Sequence, residues 1–149
     1  MSETAKWYGN GPKRLVMNDI AWKASGGSTI KCALFTSSYT PNQDTDEYFD
    51  DISANEVAAT GNYTAGGVAV TLSDPTYDSA SNEVRLDCTD AEWTSSTITA
   101  RYAVLYEDTG VESTSGLLGY VDFGEDKVSS AGTFTVQWDA NGALKITVA

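Results

Sequence analysis

Histidine is absent from the chain. Its absence removes the commonest general base near neutral pH, the usual imidazole ligand of zinc, and every serine–histidine or cysteine–histidine nucleophile pair. Long apolar runs are absent as well. No stretch approaches the about 20 residues of a membrane-spanning helix, and no basic-then-apolar opening resembles a secretory signal. Met1-Ser2-Glu3-Thr4 reads as an ordinary unprocessed start, so the expectation is a protein made in a cytosol, with no membrane partner. Phosphate-binding loops, dinucleotide fingerprints and nucleophile elbows are missing too. No motif supports catalysis or a cofactor.

Positive charge is scarce. Nine basic residues stand against twenty-one acidic ones, a formal net charge of −12. Such a surface repels phosphate backbones and anionic lipid, which argues against nucleic acid as a partner. It suits solubility, or docking on a basic surface. Only two cysteines occur, Cys32 and Cys88, each in the apolar register of a strand. In a cytosolic protein they read as small core residues; sequence leaves open whether they pair.

What is abundant points to β structure. Thirteen glycines, eight tyrosines, four tryptophans and many Ser and Thr fit strands joined by frequent turns. At 149 residues the chain suits one domain, large enough to bury about 70% of the surface its unfolded form exposes. Residues 98–123 organise the rest. In the first half Tyr102, Val104 and Tyr106 alternate with Arg101, Ala103 and Leu105; in the second, Leu117, Gly119, Val121 and Phe123 alternate with Leu118, Tyr120 and Asp122. A period of two is the mark of a strand. Apolar residues on both faces place this pair in the middle of a sheet.

Around it, residues 29–36, 68–73, 83–88, 133–138 and 143–148 read as further strands. The last two should form a hairpin across Asn141-Gly142, after a polar turn region at 122–132. Residues 90–93 read as a connection whose Trp93 plugs the core. The expectation is an all-β fold, a β-sandwich or jelly-roll-like domain of about seven strands over residues 29–149. Val104, Leu105, Val121, Phe134, Val136 and Ile146 are expected in its core.

Residues 1–28 form an irregular N-terminal arm in this reading, with one or two helical turns at 12–18. Residues 1–23 hold four basic and two acidic residues, against five and nineteen in the remainder. Trp7, Tyr8 and Trp22 add aromatic area of the kind that anchors interfaces. Trp7, Tyr8, Lys13, Arg14 and Trp22 are therefore the candidate partner-binding residues. The acidic run Asp44, Asp46, Glu47, Asp50, Asp51 invites a calcium loop, but Glu47 stands where the turn glycine belongs and Ser53 where the closing Glu belongs. It reads instead as a solvated loop in which Asp44 caps a short helix, with no metal.

The phrases KCALFTSSYTPNQDTDEYFDDI, ITARYAVLYEDTG, LLGYVDFG and FTVQWDANGALKITVA occur in this order. Together they resemble a family of small virion structural proteins of tailed bacteriophages, over most of residues 6–149. Cys32 departs from the aliphatic residue expected in that family's first strand. The resemblance implies a non-enzymatic protein on the capsid exterior, a decoration, cement or head-fibre component. It also implies the major capsid protein as partner and a homotrimer. It brings no active-site residue. A tail or neck component and a glycan- or host-surface-binding module are the alternatives.

Overall fold

The computed structural model describes residues 2–148. Nine strands, two short α-helices and two single-turn 3-10 helices follow one another, so the fold is all-β. The strands are β1 (Ser2–Glu3), β2 (Lys6–Trp7), β3 (Ile30–Phe35), β4 (Val68–Val70), β5 (Thr76–Asp78), β6 (Glu83–Leu86), β7 (Ala91–Glu107), β8 (Leu117–Trp138) and β9 (Leu144–Thr147). Helices α1 (Asn10–Val16) and α2 (Phe49–Ile52) lie between them. Among the described residues no helix is long and apolar enough to cross a membrane.

The strands form two sheets. The larger runs β1-β8-β7-β3-β4, with β2 also on the outer edge of β8; the smaller runs β5-β6-β9. As its two-sided apolar pattern predicts, the β7–β8 pair lies in the interior of the larger sheet. Ala103, Leu105, Cys32 and Leu34 pack into a core shared with Leu86 and Leu144 of the smaller sheet. Tyr102, Val104, Tyr106, Ala33 and Phe35 line a second core on the opposite face, closed by Phe49, Ile52 and Tyr39. Both faces are dry, hence the near-continuous apolar run.

One alternation is broken. Leu105 pairs with Gly119 but Tyr106 pairs with Leu117, so Leu118 is an extra residue, a β-bulge that switches faces. Leu117 consequently packs in the second core while Val121 packs in the first.

Several expectations are corrected. Residues 122–132 are not a turn: β8 continues through them as a 22-residue strand paired with β7. Likewise 91–93 belong to β7, although Trp93 is buried as expected. Pairing Ala100 with Lys127 but Tyr102 with Asp122 sets 123–126 of β8 opposite Arg101 alone, three residues in excess. Ser95 and Ala131 adopt positive φ values of 48° and 47° beside further register shifts. Bulges bend and twist a ribbon, and the result is visible in Phe123 and Phe134. These residues are eleven apart on one strand, yet their rings meet at 6.3 Å. The polar, glycine-containing stretch is a corner within a strand.

Asn141-Gly142 does make a turn, with Gly142 N–H donating to Asp139 O at 2.9 Å. The strand beyond it does not return along β8. β9 pairs with β6, Leu144 opposite Leu86 and Ile146 opposite Val84. A turn motif sets the local reversal, whereas the partner is chosen by burial of Leu144. Asp44 caps no helix. α2 starts later, with the Asp51 carboxylate accepting the backbone N–H groups of Glu47 and Tyr48.

Of residues 1–28, expected as an arm, the described part from Ser2 onward is largely built into the body. β1 runs parallel to the end of β8, and β2 runs antiparallel to its start. Tyr8, Ile20 and Trp22 are all buried.

Candidate docking face

The five residues singled out for partner binding have different fates. Tyr8 is completely buried; its hydroxyl shares a 2.7 Å hydrogen bond with that of Tyr39. Tyr39 in turn donates to Asp46 at 2.7 Å. Burial pushes the Tyr8 and Tyr39 phenols well above their ordinary range. Arg14 is buried, pairs with Glu47 at 2.7 Å and lies over the Tyr48 ring. Trp22 is buried, with no acceptor for its indole N–H. These three are engaged within the chain and are not free anchors. The physical reason is the core's appetite for large apolar area, which sequence cannot tell from an interface's.

Trp7 and Lys13 remain at the surface. Trp7 is half-buried, its indole donating to Lys145 O at 2.7 Å, which fastens β2 to β9. Lys13 is exposed on α1. The next turn adds Val16 and Met17, 88% and 58% exposed. α1 ends there with Asn18 in the left-handed region, φ 62°.

The apolar surface that sequence reading missed lies on the smaller sheet. Tyr77, Val84 and Ile146 are direct partners across β5, β6 and β9 and therefore share one face. Two residues further along, on that same face, Leu86 and Leu144 are buried. Toward the other end the cover is partial: Val84 still packs against the core, whereas Tyr77, Ile146 and Val148 are 57%, 37% and 45% exposed. Ile146, expected in the core, is corrected accordingly. Its alternation is right, but the face extends beyond the layer that covers it.

A groove of about 300 Å³ lies between this sheet and the segment leaving α1. Leu15, Ile20 and Trp22 line one side, Val84 and Ile146 the other, and Lys23 is the sole charged residue in it. Arg14, Lys31, Arg85, Arg101 and Lys127 all pair with carboxylates. The four cations without such a partner among the described residues, Lys6, Lys13, Lys23 and Lys145, lie on the N-terminal segment or on β9. No single long sequence motif could have revealed this, because the residues come from five separate segments.

Elsewhere the polar groups serve the fold. In the acidic run, Asp46 accepts from Tyr39 and Asn42, Asp51 caps α2, and Glu47 holds Arg14. Among the described residues no group of three His, Cys, Asp or Glu could hold a metal ion. Cys32 and Cys88 are buried free thiols, the latter pushed by burial up to about 12. No family model matches the chain, and neither does any curated protein or solved structure among those compared.

Proposed function

We propose that this chain is a non-enzymatic structural protein of a tailed-bacteriophage virion that decorates or cements the capsid from outside. The virion assignment rests on the resemblance carried by residues 31–52, 98–110, 117–124 and 134–149. One structural observation supports a docking role: Tyr77 and Ile146 leave exposed apolar area on one face of the smaller sheet, beside a groove that Lys23 also lines. Interfaces combine an apolar centre with a charged rim that steers approach. The acidic remainder then faces solvent.

A homotrimer belongs to the same reading. The outer edge of β8 between the β2 and β1 pairings has no strand partner among the described residues, and closed rotational symmetry is one way such edges are covered. The glycan-binding alternative is less well supported. Sugar stacking wants exposed aromatic rings, and among the described residues Tyr77 is the one large aromatic that is mostly exposed.

The test is particle imaging combined with co-sedimentation of purified heads. The wild-type protein should occupy regular positions on the shell, and Ile146→Asp should reduce occupancy at least tenfold while remaining folded. Regular density on a tail or neck would move the protein there. Full occupancy by Ile146→Asp would overturn the assignment of the face.

A further inference from the structure

We propose that Glu56 is a proton-operated latch on the segment that leads into β4. Protonated, it holds residues 58–67 against β3 and β7; ionised, it lets them lift away. This device is independent of the docking face.

Apart from the latch, the segment is lightly attached. Residues 58–62, 64 and 65 are exposed, and the backbone hydrogen bonds of the stretch are local, Tyr63 N–H to Thr60 O and Gly67 N–H to Thr64 O. Two links lie outside the latch: the Asn62 amide donates to Thr94 O at 2.7 Å, and the Tyr106 hydroxyl donates to Gly66 O at 2.6 Å. The others converge on Glu56. Buried Tyr63 accepts Leu34 N–H from β3 at 2.9 Å and donates to Glu56 Oε2 at 2.8 Å. Gly66 N–H donates to the same oxygen at 2.7 Å. With both donors on Oε2, a proton can sit on Oε1 without displacing either.

Ionised, the carboxylate is poorly compensated. Its two partners are neutral, and a buried charge without a counter-ion is costly. The charged and titratable groups around Glu56 and its tyrosine neighbours are Lys31 and Cys32 on β3, Tyr106 on β7, and Asp108 and Glu112 in the loop after β7. Lys31 is taken by Asp108 at 2.7 Å, and Glu112 adds a like charge. Burial pushes Tyr63, Tyr106 and Cys32 upward, so they keep their protons. Burial also holds Glu56 above 4.5, so the closed segment favours the proton. Closure is strongest below 4.5 and weakens as pH rises through the raised value. Lifting takes the Tyr63 ring off Trp93, 5.5 Å away, and bares that wall of the core.

Amide hydrogen exchange of the full chain, corrected for the intrinsic rate and followed from pH about 4 to about 8, tests the latch. Leu34 and Gly66 carry the two N–H groups it holds, and Ala103 and Leu105, interior to the sheet, are the controls. Protection of Leu34 and Gly66 should fall about tenfold across this range while the controls hold. Glu56→Gln, which keeps the acceptor and cannot ionise, should abolish the fall. Glu112→Gln, which removes the like charge, should move it to lower pH. Flat protection in the wild type, or a fall that persists in Glu56→Gln, would overturn the proposal. So would a fall shared equally by Ala103 and Leu105, which would mean that Glu56 acts on the whole molecule and latches nothing.

Discussion

Ser96 is fully buried, an unusual place for a hydroxyl in a β-ribbon. Its Oγ lies 3.0 Å from Trp93 O, 3.1 Å from Gly132 O and 2.9 Å from Ser129 Oγ. Ser129 Oγ in turn accepts Ile98 N–H at 3.1 Å. The serine pair thus satisfies backbone groups that the register shifts leave out of the ladder. Ser96→Ala should cost about 1–3 kcal/mol, because it strands buried acceptors, and urea unfolding would measure it. An unchanged midpoint would mean that water replaces the hydroxyl.

Two carboxylates at the residue scale act in opposite directions. Burial holds Glu56 above its ordinary 4.5, although Gly66 N–H and Tyr63 O–H both donate to it. Its folded state therefore favours the protonated form. The stability it adds is complete below 4.5 and is lost as pH rises through the raised folded value. Asp108 is the reverse: the Lys31 ammonium and Gly110 N–H hold it below 3.8. Its contribution is present above 3.8 and disappears as pH falls through the lowered folded value. In urea midpoints measured across pH, Glu56→Gln should flatten the decline on the rising side. Lys31→Met should flatten the loss on the acid side.

At the scale of elements, the glycine turn before β4 is the tightest constraint. Gly67 has φ +78°, and an added Cβ would sit 1.9 Å from Cys32 O on neighbouring β3. Gly110, in the loop between β7 and β8, has φ +87° with nothing within 4 Å. Substituting Gly110 by Ala should cost only the left-handed strain, about 1–2 kcal/mol. Gly67→Ala adds a backbone clash in the β3–β4 pairing and should be markedly more destabilising. Equal thermal midpoints for the two variants would show that β4 can shift away freely.

For the molecule as a whole, the N-terminal segment decides foldability. Deleting residues 1–10 removes β1, β2, Ala5 and the fully buried Tyr8. Emptying a site of that size costs about 3–5 kcal/mol for the aromatic alone, comparable with the whole stability of many domains. The deletion should give an unfolded or aggregating chain by near-ultraviolet circular dichroism. A cooperative unfolding transition would instead restore the segment to the status of a separable arm. Surface substitutions such as Lys23→Glu test docking without this penalty.

Period-two alternation was enough to place β3 and the paired halves of β7 and β8, because side-chain direction along a strand is a local property. The same alternation correctly put apolar residues on both faces of that pair. The missing histidine and the absent motifs bounded the chemistry, again without reference to the fold. Tertiary structure decided three things that local pattern cannot. It merged 117–123 with 133–138 into one strand, since a bulged corner and a turn use the same glycine-rich, polar vocabulary. It sent β9 to β6, more than fifty residues away, because Asn-Gly encodes a reversal and says nothing of which edge is vacant. And it turned Tyr8, Arg14 and Trp22 inward while leaving Ile146 uncovered. Burial is a relation between segments, and a residue's own chemistry states only that it can be buried.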